Sequence, residues 1–187
     1  MRRLVVAALL LCAATWAAAE LCPAPLALLI RSAERIVVVR VEKISIETIE
    51  GQPFTVATAA VTETLKGPRE ARIDIRLPGG QVGEFVMVVP GAPTLRVGEQ
   101  YVAFLALDQN AQFSTRAFRP INLGEGLFAL IVKNRRTYAV QALADAPRRF
   151  AACAVAAEQC AAQAGAMVEE VTAFKARIRA ALASGNQ

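Results

Sequence analysis

Apolar and polar positions follow two rules along this chain: runs of alternation up to about residue 140, and helix-spaced apolar positions after it. Residues 35–46 are rich in β-branched side chains and relax into alternation at their end, which predicts a central strand. Gly51-Gln52-Pro53 turns the chain into a second long strand over 54–65, with Ala57, Ala59, Val61 and Leu65 on one face and Thr58, Thr62 and Thr64 on the other. Lys66-Gly67-Pro68 ends it. Ala71, Ile73, Ile75 and Leu77 then alternate with Arg72, Asp74 and Arg76, predicting a half-buried third strand whose charged face looks into solvent. Further strands are expected over 84–89, 100–107, 112–118, 127–132 and 137–140, the last two joined as a hairpin through Asn134-Arg135-Arg136.

A short helix is expected over 26–31, after Pro23 and Pro25. Beyond Leu143 the composition turns alanine-rich. Asp145 is placed to cap a helix that tolerates an early Pro147, and Gly165 divides the tail into two helices. Val168, Val171, Phe174, Ile178 and Leu182 fall on one helical stripe, to be packed on the sheet. The expected fold is mainly β with a C-terminal helix or helical hairpin.

Met1-Arg2-Arg3, a short apolar run from Leu4 to Cys12 and Ala17-Ala18-Ala19 have the layout of a cleavable export signal. Three segments follow from this: a signal peptide over 1–19, a β domain over 20–143 and a helical extension over 144–187. The product is expected to be secreted or periplasmic. Neither Cys12 nor Cys22 follows the small residue that a lipidated cysteine requires, and no later stretch approaches the roughly 20 apolar residues of a membrane helix. The formal charge of +5 falls by two when Arg2 and Arg3 leave. The remaining basic residues are interspersed with acids and lack interleaved aromatics, so no nucleic-acid face is expected.

Histidine is absent, which removes the usual general base, the usual partner of a serine or cysteine nucleophile and the commonest zinc ligand. Ser32, Ser45, Ser114 and Ser184 lie outside any nucleophile-elbow or Ser-x-x-Lys pattern. No cofactor or metal is called for. A carboxylate-dependent hydrolase would need some of Glu63, Asp74, Glu84, Glu99 and Glu125 to meet in one cleft, and Glu169-Glu170 belongs to a polar helix face.

Three cysteines survive cleavage: Cys22, Cys153 and Cys160. On one straight helix over 151–164, Cys153 and Cys160 would stand roughly 10 Å apart along the axis, beyond the reach of a bridge. Either the helix breaks between them and they close a small loop, or one of them ties down Cys22. The helix-forming run Ala154-Val155-Ala156-Ala157-Glu158-Gln159 favours pairing with Cys22.

Dense glycine and proline punctuation between residues 78 and 98 marks turns: Pro78, Gly79, Gly80, Gly83, Pro90, Gly91 and Pro93 are the positions chosen for a binding surface, as loops carried on a rigid sheet. A strand follows them where a phosphate-cradling loop would lead into a helix.

Ser32-Ala33-Glu34-Arg35-Ile36-Val37-Val38-Val39-Arg40-Val41, Thr64-Leu65-Lys66-Gly67, Leu77-Pro78-Gly79-Gly80-Gln81-Val82-Gly83, Pro90-Gly91-Ala92-Pro93 and Val97-Gly98-Glu99-Gln100-Tyr101-Val102-Ala103-Phe104-Leu105 together resemble a group of secreted bacterial proteins of unknown biochemical role, over residues 32–140. The first half is also similar to the netrin-like domain of tissue inhibitors of metalloproteinases, where a cysteine near the mature start precedes a long strand and a second strand closes in a Lys-Gly turn. That resemblance implies a closed or partly open antiparallel β-barrel of the oligonucleotide/oligosaccharide-binding (OB) type with an attached helix. Inhibition would carry over only through Cys22 as the first residue, its free amine and carbonyl chelating the protease zinc. A start at Glu20 blocks that amine. The function expected is therefore an exported, non-catalytic binding or interaction domain with a protein or surface ligand as partner, metalloproteinase inhibition and carboxylate-dependent hydrolysis being the alternatives.

Overall fold

The structure, a computed structural model, describes residues 24–109, 115–143, 146–164 and 166–185. Its elements are α1 (Leu26–Ser32), β1 (Arg35–Ile49), β2 (Gln52–Lys66), β3 (Arg72–Pro78), β4 (Gly80–Val82), β5 (Phe85–Met87), β6 (Gln100–Leu107), β7 (Phe118–Pro120), a 3-10 turn (Leu123–Gly126), β8 (Leu127–Lys133), β9 (Arg136–Gln141), α2 (Ala146–Ala152), α3 (Ala157–Ala164), β10 (Val168–Glu170) and α4 (Val171–Ser184).

Eight strands form one sheet in the order β1-β2-β3-β7-β6-β8-β9-β10, and β1 also pairs with β6. Five strands, β1-β2-β3-β7-β6, thus close into a ring. β6 is its hub. One edge of β6 pairs with β1, from Arg35 opposite Leu105 to Arg40 opposite Gln100; the other is divided between β8, at residues 101–103, and β7, at 105–107. The ring closes between β3 and β7 through a single parallel pair, Ile75 with Phe118. Register shifts in the β1–β2 ladder near Ile36, Val38 and Val41 let so long a ribbon bend around the ring.

Alternation in these strands sorts side chains into two cores. Val37, Val39 and Val41 of β1, Tyr101, Ala103 and Leu105 of β6, and Ile73, Ile75 and Leu77 of β3 fill the ring interior. Ile36, Val38, Val102, Phe104 and Phe128 form an outer core covered by α1 and α4. Strands β1 and β6 are buried on both faces, which is why residues 36–39 and 101–105 are apolar without a break. Phe174 of α4 lies 4.6 Å from Phe128 and 6.2 Å from Phe104, ring centre to ring centre. Ile178, one turn on, is fully buried beside them.

A third cluster forms where α2 and α3 cover β8 and β9: Phe150 packs at 5.3 Å on Tyr138, next to Val140 and Cys160. Lys133 Nζ donates to the carbonyls of Phe150 and Cys153, satisfying acceptors at the end of α2.

Several sequence expectations are corrected. The tail does not run as helix between the cysteines: the chain leaves helical geometry at residues 153–156, and Cys153 and Cys160 are bonded with Cα atoms 5.8 Å apart. Neither is then available to Cys22, which lies outside the described residues, as do Asp145 and Gly165. Val168 belongs to no helix. With Glu169 and Glu170 it forms β10, pairing antiparallel with β9, so the helical stripe begins only at Val171. The strand expected over 84–89 shrinks to β5 and pairs with β4 alone, outside the main sheet. Of the strand expected over 112–118 only Phe118 is extended in the sheet, as the first residue of β7; residues 115–117 are not strand, and residues 110–114 lie outside the described residues. The β8–β9 hairpin is as expected, with Asn134 and Arg135 at φ 51° and 63°, the left-handed pair of a two-residue turn.

Candidate functional site

The segment between β3 and β6 carries the features most unlike the rest of the molecule. β3 ends at Pro78, and Gly79 turns the chain at φ +95°; a Cβ there would lie 2.8 Å from the Met87 carbonyl oxygen, so only glycine fits. The turn is held by Gly79 N–H on the Pro53 carbonyl, 3.0 Å, and by the Thr55 hydroxyl on the Gly79 carbonyl, 2.8 Å. From it β4 and β5 project as a hairpin, with Val82 opposite Phe85 and Gln81 opposite Val86. Gly83 opens the tip with positive φ in open space.

This hairpin exposes apolar side chains on both its faces. Val82 and Phe85, cross-strand neighbours, are 44% and 57% exposed; Val86, on the opposite face, is 56% exposed, and Val88 beyond the strand 81%. Fully burying an exposed side chain of this kind is worth about 1.5–3 kcal/mol, and roughly half of that remains open to a partner at Val82, Phe85 and Val86. Here they touch solvent.

Beyond it the chain returns to the ring. The Gly91 carbonyl accepts Gly124 N–H at 3.0 Å, and Gly124 lies so close to the Ala142 carbonyl that a Cβ would come within 2.3 Å. Leu95 is buried in the ring interior, and Gly98 N–H and Glu99 C=O bond to Val41 at 2.9 and 3.0 Å, delivering the chain to β6. Between this segment, β6, β8 and α2 lies a cleft of about 150 Å³, with Tyr101, Ala129 and Ile131 on its walls and Arg96, Glu99 and Arg148 among its lining. Tyr101 is 3% exposed and donates its hydroxyl to the Glu99 carboxylate. Burial, chiefly, and then that carboxylate push the Tyr101 phenol well above its ordinary range, while Arg96 acts in the opposite direction.

The seven glycine and proline positions separate into three placements. Gly79 is buried and Pro78 and Gly80 are half-buried, so they shape the base of the hairpin; Gly83, Pro90 and Gly91 are exposed around it; Pro93 lines the cleft. No local pattern marks Val82, Phe85, Val86 and Val88 as exposed, because a run without polar alternation reads as core. The available signal was that a segment so closely bracketed by Gly and Pro has nothing long enough to pair with.

The candidate carboxylates do not converge. Glu63 pairs with Lys175 and Arg179, Asp74 accepts from the Thr58 hydroxyl at 2.7 Å, Glu99 holds Tyr101, and Glu125 accepts from the Ala24 amide and Asn122. Glu84 sits exposed at the hairpin tip. Among the described residues, no three His, Cys, Asp or Glu side chains are grouped as a metal site would require, and no helix is long and apolar enough to cross a membrane. Arg76, expected on a solvent face, is 2% exposed and enclosed by Glu47, Asp108 and Thr115. No protein family, curated protein or solved structure matches the chain.

Proposed function

We propose that this chain is an exported, non-catalytic binding domain of the bacterial envelope or medium, an OB-like barrel of netrin-like type that engages a protein partner through the β4–β5 hairpin. The observation that carries this reading is the exposure of Val82, Phe85, Val86 and Val88 on a short projecting ribbon. Because apolar side chains are exposed on both faces, the hairpin fits insertion into a groove of a partner better than docking on a flat surface. The closed five-strand ring with a helix on its outer face supports an OB-like barrel. The dispersal of Glu63, Asp74, Glu99 and Glu125 among separate structural partners supports contact over chemistry.

The test is a comparison of the mature protein with a Phe85→Glu/Val86→Asp double variant. Crosslinking in the exporting cell should yield one specific adduct with the wild type and none with the variant, at unchanged circular dichroism. An adduct that persists in the variant removes the hairpin from the interface. Mass spectrometry of the mature N-terminus separates the inhibitor alternative: a start at Cys22 would revive the zinc-chelating amine, and a start at Glu20 excludes it.

A further inference from the structure

The cleft beside Tyr101 is independent of the hairpin and is built like a ligand site. Its walls are continuous with the ring interior: Tyr101 and Ala129 belong to that core and Ile131 packs against it. Its volume of about 150 Å³ equals that of an engineered apolar cavity that admits benzene. Its charge is contributed by separate elements, Arg96 from the segment before β6 and Arg148 from α2, and both residues are exposed. Neither guanidinium has an ion-pair partner among the described residues. Glu99, the carboxylate in the same lining, is already an acceptor for the Tyr101 hydroxyl, so the cleft carries one positive charge in excess.

We propose that this cleft binds a small apolar carboxylate, a body of about six to eight carbons seated on Ala129, Ile131 and the Tyr101 ring, its carboxylate held by Arg96 and Arg148. A cation would meet two guanidinium groups, and a sugar would lose its hydrogen bonds against the apolar walls. An apolar pocket with a few charged groups in its lining is a common arrangement for small-ligand recognition.

The experiment titrates the mature protein with benzoate, benzyl alcohol and benzylamine, by calorimetry and by amide NMR shifts. Benzoate should bind with Kd of roughly 0.1–1 mM, benzyl alcohol more weakly, and benzylamine weakest. An Arg96→Gln/Arg148→Gln double variant, changed only at exposed positions, should weaken benzoate at least about ten-fold and leave benzyl alcohol unaltered. Ala151→Trp, at an exposed position of α2 that lines the cleft, should block both ligands. Benzylamine binding as tightly as benzoate, benzoate shifts confined to residues away from the cleft, or no benzoate binding at ~10 mM would each overturn the assignment.

Discussion

Arg76 shows how much a single side chain can organise. Its guanidinium donates to Glu47 at 2.9 and 3.2 Å, to Asp108 at 3.1 Å and to the Thr115 hydroxyl and carbonyl at 2.8 and 3.3 Å. A buried arginine is tolerable when its donors are used this fully, and the far end of β1 and the segment after β6 are drawn together over β3 as a result. Arg76→Leu leaves Glu47 and Asp108 without their shared counter-charge. Their side chains are 31% and 13% exposed, so water relieves part of the penalty, and the expected loss is about 2–4 kcal/mol in urea denaturation. Arg76→Lys should lose less while failing to restore full stability, since an ammonium cannot reproduce the fork. The period-two pattern of β3 correctly placed Ile73, Ile75 and Leu77 inward and Arg76 outward. It says which face a residue occupies, and nothing of what distant segment will cover that face. Tyr101 makes a second prediction at this scale. Its folded phenol titrates above the ordinary value of about 10, so both states hold the proton below that pH and the stabilisation is complete there. Above it the unfolded chain releases a proton that the folded one keeps, and stability falls as pH rises. Tyr101→Phe should flatten that fall, seen as a smaller shift of the urea midpoint between about pH 9 and pH 11 than in the wild type.

Among the elements, the long strands were legible because their pattern is local: β1, β2, β3, β6 and the β8–β9 hairpin all lie where alternation, β-branching and turn residues put them. The tail was not. Three residues of β10 are too few to show a period, and their strand geometry comes from pairing with β9, a partner that helix propensity cannot register. The same holds for the break at residues 153–156, where a favourable helical run is overridden by the Cys153–Cys160 bond and by Phe150 and Cys160 packing on Val140. The bond closes a sequence separation of 7, for which chain entropy allows a stabilisation of about 2–3 kcal/mol. A Cys153→Ser/Cys160→Ser variant is expected to lose about 2 kcal/mol of protection in hydrogen exchange over residues 146–164, with the ring strands much less affected. Equal losses in both regions would mean that α2 and α3 are part of the global folding unit. Because α2 contributes Arg148 and Ala151 to the cleft, the same variant should also weaken benzoate.

At the scale of the whole molecule, closure of the ring is the property least accessible from sequence, since it depends on pairings such as Arg35 with Leu105 and Ile75 with Phe118 that no local pattern announces. Closure also explains why the two cores are not independent. Strand β6 sends Tyr101, Ala103 and Leu105 into the ring and Val102 and Phe104 into the outer core, so a helix packed outside acts on the same backbone that the interior requires. Ion pairs of Glu63 on β2 with Lys175 and Arg179 add a second tie between α4 and the ring. Phe174→Ala should therefore cost about 3–4 kcal/mol, the usual toll of an emptied aromatic site, and should lower the exchange protection of β1 and β6 amides by the same amount as that of α4. The β4–β5 hairpin, joined only to itself as a sheet, should exchange rapidly before and after the change. Protection lost in α4 alone, with β1 and β6 untouched, would mean that the helix is an appendage and that the ring folds without it.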